Sequence, residues 1–251
     1  MLVNFVIGGT QKGGTSALDS FLRQHPEICL PEAKKELHYF DKEENFEDRP
    51  NYKQYHAYFR PEPRHRVIGE ATPSYMYWTT TPYRIWSYNP EMKWILVLRN
   101  PVERAFSAWN METKRGAEHL SFKEAVEQEA ARCRKALPLQ HRVFSYVDRG
   151  FYAHQVRRLF NIFGEDNLLI LLTDELRANH KNILQKIFEF LNVESGFMAP
   201  PASVFEQDYD DKIEPQLYSQ LLDDFYFDIK QLERLLRRDL SLWYQSPLRS
   251  K

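Results

Sequence analysis

Short apolar runs alternate along the chain with stretches of helical spacing. Val3, Phe5, Val6 and Ile7 form the first run; VIGEA (67–71), WILVLRN (94–100) and NLLILLTDEL (167–176) follow, the last two apolar nearly throughout. Unbroken apolar strands suit a parallel sheet covered on both faces. Between the runs, Ser16, Ala17, Leu18, Phe21 and Leu22 recur at helical spacing, as do PVERAFSAWNMETKR, SFKEAVEQEAARCRKAL, HQVRRLFNIFG with its terminal glycine, and HKNILQKIFEFLNV. Strand and helix in alternation predict an α/β fold, a central parallel sheet flanked by helices. Residues 45–66, charged and aromatic with Pro50, Pro61 and Pro63, read as a surface excursion carrying short helices. After Val193 the pattern fades through GFMAPPASVFEQDYDD. A long amphipathic helix follows, marked by Leu217, Leu221, Leu222, Phe225, Ile229, Leu232, Leu235 and Leu236.

Composition narrows the choice. With 251 residues, 43% of them hydrophobic, the chain can bury one substantial core, and residues 1–251 read as a single domain. A net charge of −1 argues against a nucleic-acid partner, whose backbone demands a strong basic excess. Cys29 and Cys133 lie far apart with no zinc-ligand spacing, which predicts neither disulfide framework nor metal centre. No apolar run reaches the roughly 20 residues of a membrane span, and the first residues lead into a strand without signal-peptide organisation; a cytoplasmic, reducing location is the expectation.

The chemistry begins where the first run ends. GGTQKGGTS places four of the nine glycines, Gly8, Gly9, Gly13 and Gly14, between a strand and a helix. Such a loop turns backbone N–H groups toward an anion at a helix N-terminus. The Walker A pattern is missing, since Lys12 precedes the second glycine pair and Gly14 is followed directly by Thr15 and Ser16. A kinase also needs an acid after a buried strand to organise Mg²⁺. WILVL ends in Arg99, which leaves only Asp174 for that role. Arg99 at the end of a parallel strand, with Pro101 opening a helix that carries Ser107, makes a second anion site. Two such sites suit a nucleotide phosphorylated at both ends. As alternatives, Arg99 could serve as a structural partner of Glu103, and Ser107 could bond back to its own helix.

GTQKGGTSAL with HPEI, the KELHYFD block and VLRNPVERAFSAW together resemble the cytosolic-type and heparan-type sulfotransferases that use 3′-phosphoadenosine-5′-phosphosulfate. The likeness runs from Val3 to about Val193, with a weaker echo in DLSLW (239–243). It implies a P-loop-like α/β sandwich in which Lys12, Gly13, Gly14, Thr15 and Ser16 hold the 5′-phosphosulfate and Arg99 with Ser107 holds the 3′-phosphate. It also implies Glu36 as general base, Lys12 neutralising the leaving phosphate oxygen, and His38 orienting or assisting. Glu36 and His38 stand two apart, so an extended segment would project both to one face. The competing reading pairs Glu36 with Lys34 or Lys35 on the surface and leaves His38 as packing. The transferred group carries little negative charge, so lysine, histidine and oriented N–H donors suffice and no metal is required.

The acceptor is expected to be a carbohydrate or small molecule carrying a hydroxyl or an amine. Ala71 of GEATPSY replaces the lysine that heparan-type members carry for a sulfated polysaccharide. The late basic cofactor loop is not recognisable around EQDYDDKIEPQL, where Lys212 is the one candidate remnant. Tyr75, Tyr77, Trp78, Tyr83 and Trp86 are read either as an acceptor pocket or as packing. A nucleotide-dependent kinase and a silent nucleotide-binding module are the rival functions; the joint presence of Lys12, Glu36 and His38 argues against the latter.

Overall fold

A computed structural model describes residues 2–197 and 212–244. In chain order the elements are β1 (Phe5–Gly9), α1 (Thr15–Leu22), β2 (Ile28–Cys29), α2 (Tyr52–His56), β3 (Val67–Ala71), α3 (Thr81–Tyr88), β4 (Lys93–Leu98), α4 (Pro101–Lys114), α5 (Phe122–Glu127), α6 (Glu129–Cys133), α7 (Tyr152–Phe163), β5 (Leu168–Leu172), α8 (Thr173–Ala178), α9 (His180–Leu191) and α10 (Pro215–Leu236). The chain divides into two compact units, one built from residues up to 98 and from 159 onward through α9, the other from 99–158 with α10 and the residues after it.

The first unit holds the sheet. Its five strands run in the order β2-β3-β1-β4-β5, every pairing parallel, as the apolar runs require. β1 occupies the centre with β3 on one side and β4 on the other, and the chain changes sides between β3 and β4. In open α/β sheets the carboxyl ends of strands at such a reversal are where ligands bind. Phe5, Ile7, Ile95 and Val97 from the strands pack with Leu18, Phe21 and Leu22 of α1 and Ile187, Phe188 and Leu191 of α9.

The second unit is helical. Phe106 and Trp109 of α4 stack at 5.5 Å and meet Phe122 of α5. Asn100 caps α4 by accepting from the N–H groups of Val102 and Glu103, and its amide donates to the Tyr218 hydroxyl and the Trp243 carbonyl. Along α10 the predicted stripe buries Leu217, Leu221, Phe225, Ile229 and Leu232, whereas Leu222, Leu235 and Leu236 are only part-buried at its margin.

Four local expectations change. NLLILLTDEL is strand only to Leu172, because the Glu175 side chain reaches back to the Leu172 N–H and starts α8 at Thr173. SFKEAVEQEAARCRKAL breaks at Gln128 into α5 and α6. Residues 45–66 are not purely surface: Tyr55 is fully buried and Phe59 nearly so. The aromatic cluster divides, with Tyr75, Tyr77 and Trp78 buried and Tyr83 and Trp86 about half exposed. Most of GFMAPPASVFEQDYDD lies outside the described residues; Lys212 is described and exposed.

Candidate active site

The glycine loop closes onto the sheet by backbone bonds. Thr10 N–H donates to the Val97 carbonyl at 3.0 Å, and a Cβ on Gly13 would stand 2.1 Å from that same carbonyl oxygen, so only glycine fits. Gly14, at φ 102°, is the N-cap of α1; no side chain caps the helix and its first turn holds no acid. No side chain therefore competes for the first amides of α1, the arrangement that favours an anion at a helix N-terminus. Thr173 fastens the loop from the far side: its hydroxyl lies 2.6 Å from the Gly13 carbonyl and 3.1 Å from that of Leu98.

Beside the loop stands the KKELHYFD block. Lys35 Nζ donates to Ser16 Oγ at 2.8 Å and lies 3.5 Å from Glu36 Oε1, so one ammonium bridges the start of α1 and the candidate base. Glu36 Oε2 lies 3.3 Å from His38 Nε2, and His38 Nδ1 lies 2.9 Å from Asp41 Oδ2. Asp41 is buried, and the same oxygen accepts from Ser74 Oγ and Trp78 Nε1, each at 3.0 Å. Glu36 and His38 do share a face, though not through an extended segment. His38 has φ 53°.

Backbone strain marks the same residues. Four non-glycine residues have positive φ among those described: Asn192 and Arg237 end helices α9 and α10, while Lys12 lies in the glycine loop and His38 in the KKELHYFD block. Conformations of this kind persist only where surrounding structure enforces them, and they cluster at functional sites.

Electrostatics set the protonation states. Burial disfavours the His38 imidazolium, but hydrogen bonds to Asp41 and Glu36, and their charges, raise its pKa to about 9. Burial alone would raise the Glu36 carboxyl, yet the His38 hydrogen bond and the Lys35 charge outweigh it and hold the pKa below 4.5. At neutral pH the pair is thus carboxylate against imidazolium. Of the pairings weighed for Glu36 in the competing reading, with Lys34 or Lys35, the one with Lys35 is present, and it occurs within this cluster.

Arg99 and Ser107 belong to the helical unit. Arg99 is mostly buried and makes two bonds to Glu103 Oε2 at 3.0 and 3.1 Å; its carbonyl accepts from the Tyr152 hydroxyl at 2.9 Å. The structural pairing weighed for Arg99 therefore exists. Ser107 is buried on α4. Asp174, on which a magnesium reading depends, is an exposed residue in the first turn of α8.

The deciding comparison is with known families. The sulfotransferase domain, by its family description, matches residues 3–232. This chain belongs to the sulfotransferase family. Over 192 residues it is 29% identical to the human heparan sulfate glucosamine 3-O-sulfotransferase 6, covering 75% of this chain and 52% of that one. Over 135 residues it is 35% identical to the membrane-associated sulfotransferase kil1 of Dictyostelium discoideum, covering 51% of this chain and 28% of that protein. The chain thus spans about half, or less, of the curated relatives' length. The crystal structure of a sulfotransferase from Alicyclobacillus acidocaldarius superposes with a TM-score of 0.85 at 31% identity, covering 98% of this chain and all of that one. No helix among the described residues is long and apolar enough to cross a membrane.

Asp41 and Thr173 stand beside the candidate site without having been singled out in the sequence, and Lys35 was weighed only as a surface partner of Glu36. Asp41 closes the very block that carries Glu36 and His38, three residues beyond the histidine. Thr173 gives no signal until β5 is seen to end one residue before it.

Proposed function

We propose that this domain transfers a sulfuryl group from 3′-phosphoadenosine-5′-phosphosulfate to a hydroxyl, or an amine, of a carbohydrate or small-molecule acceptor. The observation that supports the reading is the Ser16–Lys35–Glu36 bridge, in which one ammonium contacts both the first turn of α1 and the Glu36 carboxylate. The donor supplies an activated sulfur; the chain supplies position and charge. Glu36, ionised at neutral pH, takes the acceptor proton as the acceptor oxygen forms its bond to sulfur. Lys12 and the amides at the start of α1 meet the charge that develops on the departing phosphate oxygen as the old sulfur–oxygen bond breaks. His38, charged and fixed by Asp41, orients Glu36. Arg99 and Ser107 bind the 3′-phosphate, for which Arg99 exchanges its bonds to Glu103. Lys12, Arg99 and the backbone N–H donors meet the anionic charge in this scheme, which calls for no metal.

Ala71, buried at the end of β3, offers no cation for a sulfated polysaccharide, which favours an acceptor of low charge. A cytoplasmic setting agrees with two free cysteines. The test is transfer of labelled sulfate from the donor across a panel of phenols, steroids, glycans and glycolipids. Transfer to any member supports the reading, and phosphoryl transfer from ATP in its place favours a kinase.

A further inference from the structure

Beneath the KKELHYFD block lies a carboxylate that the proposed chemistry does not use. Glu70, near the end of β3, is fully buried, and no cation pairs with it among the described residues. Three hydroxyls converge on it: Tyr55 at 2.7 Å and Tyr75 at 3.1 Å on Oε1, and Thr72 at 2.7 Å on Oε2. Two of these hydroxyls face outward as acceptors. Thr72 Oγ1 accepts from the Leu37 N–H at 3.1 Å, and the Tyr75 hydroxyl accepts from the N–H groups of Tyr39 at 3.0 Å and Phe40 at 3.5 Å.

A hydroxyl has one hydrogen, and its direction decides which lone pairs remain for other donors. By accepting the Thr72 and Tyr75 hydrogens, Glu70 turns both oxygens toward the amides on either side of His38. Those amides flank the residue with positive φ, and the side chains of Glu36 and His38 project from the backbone they fix. We propose that Glu70 is a positioning residue, a buried anchor that acts through Thr72 and Tyr75 to hold residues 36–40 in the geometry that presents Glu36 and His38. The functional half of this statement rests on the proposed role of Glu36; the anchoring half does not.

Glu70 titrates in a useful range. Burial raises its carboxyl and the three hydroxyl bonds offset only part of that, leaving a pKa of about 7. The other titratable groups facing it are Tyr55 from α2, Tyr75, Tyr88 from α3 and Asp41; the tyrosine hydroxyls are all pushed upward and stay protonated. Protonating Glu70 removes acceptor capacity from the anchor, so the segment loosens as pH falls through that value.

The test is amide hydrogen exchange at Leu37, Tyr39 and Phe40, with steady-state turnover beside it, in the full chain and in Glu70→Gln. The expected result is exchange faster by about tenfold or more at these amides, with α9 unchanged. Turnover should fall by about 10- to 100-fold, the scale of a small misplacement of a reacting group. The wild-type kcat profile should show an acid limb near pH 7 that the variant lacks. Were Glu70→Gln not to fold, Thr72→Val and Tyr75→Phe carry the same exchange readout, with Thr72→Ser restoring protection where Thr72→Val does not. Unchanged exchange in folded variants overturns the anchor and leaves Glu36 untouched. Near-normal turnover of Glu36→Gln overturns the catalytic reading and leaves the exchange result standing.

Discussion

The Lys35 ammonium lies 2.8 Å from the Ser16 hydroxyl while remaining 3.5 Å from the Glu36 carboxylate. It joins the start of α1 to the candidate base, so removing its charge should be felt at both. Lys35→Met keeps the apolar stem and deletes the charge. We expect turnover to drop by about 10- to 100-fold and the Glu36 pKa, followed by carbon NMR of its carboxyl, to rise toward the ordinary value. A Glu36 titration unmoved by the substitution would make Lys35 a bystander.

Stability should report the His38 cluster through its pH dependence. The folded-state pKa of His38 is raised from 6.5 to about 9, so its stabilising contribution is complete below 6.5 and is lost as pH rises through about 9. The gap in Tm between the wild type and His38→Gln should therefore be widest near pH 6 and shrink by pH 9.5. A gap constant across that window would mean the imidazolium is not held by Asp41 and Glu36.

Much of this was legible in the chain and some was not, for physical reasons. The runs ending at Ile7 and Leu98 read directly as strands because both faces of a central parallel strand are apolar. β2, two residues long, carries no period to read. The glycine loop announced itself by composition, and Glu36 and His38 by their shared block. Tyr55 is the instructive miss: in a charged, proline-rich stretch it looks like surface, yet its hydroxyl is committed to Glu70. Polar convergence between residues fifteen apart leaves no local pattern. Lys35 was read only as a surface partner of Glu36, since a lysine beside a glutamate is ordinarily a solvated pair, and its contact with Ser16 nineteen residues away leaves no local signal.

Arg99 offers a clean discrimination between phosphate reader and structural residue. Arg99→Ala should weaken binding of 3′-phosphoadenosine-5′-phosphate by about 2–3 kcal/mol, a lost charge-assisted contact. Adenosine-5′-phosphosulfate, which has no 3′-phosphate, should lose little. Equal losses for both ligands, measured by calorimetry, would assign Arg99 to its bond with Glu103 instead.

The loop makes a steric prediction. Gly13→Ala drives a methyl toward the Val97 carbonyl oxygen, 2.1 Å from the ideal Cβ position, and that oxygen is backbone that cannot rotate away. Overpacking of this kind costs about 1–3 kcal/mol. Thermal unfolding should register it together with weakened binding of the desulfated cofactor; a variant with wild-type Tm and affinity would show that the loop relaxes freely.

The central claim is that Glu36 takes the acceptor proton in metal-independent sulfuryl transfer. It is met most directly by labelled-sulfate transfer to one active alkyl-hydroxyl acceptor, with EDTA present, comparing the wild type with Glu36→Gln. Equilibrium binding of 3′-phosphoadenosine-5′-phosphate is measured beside it. The account predicts full wild-type activity in EDTA, and in the variant turnover lower by about 10²–10⁴-fold with cofactor affinity little changed. Activity that requires added magnesium, or a variant that turns over at nearly the wild-type rate, would contradict it.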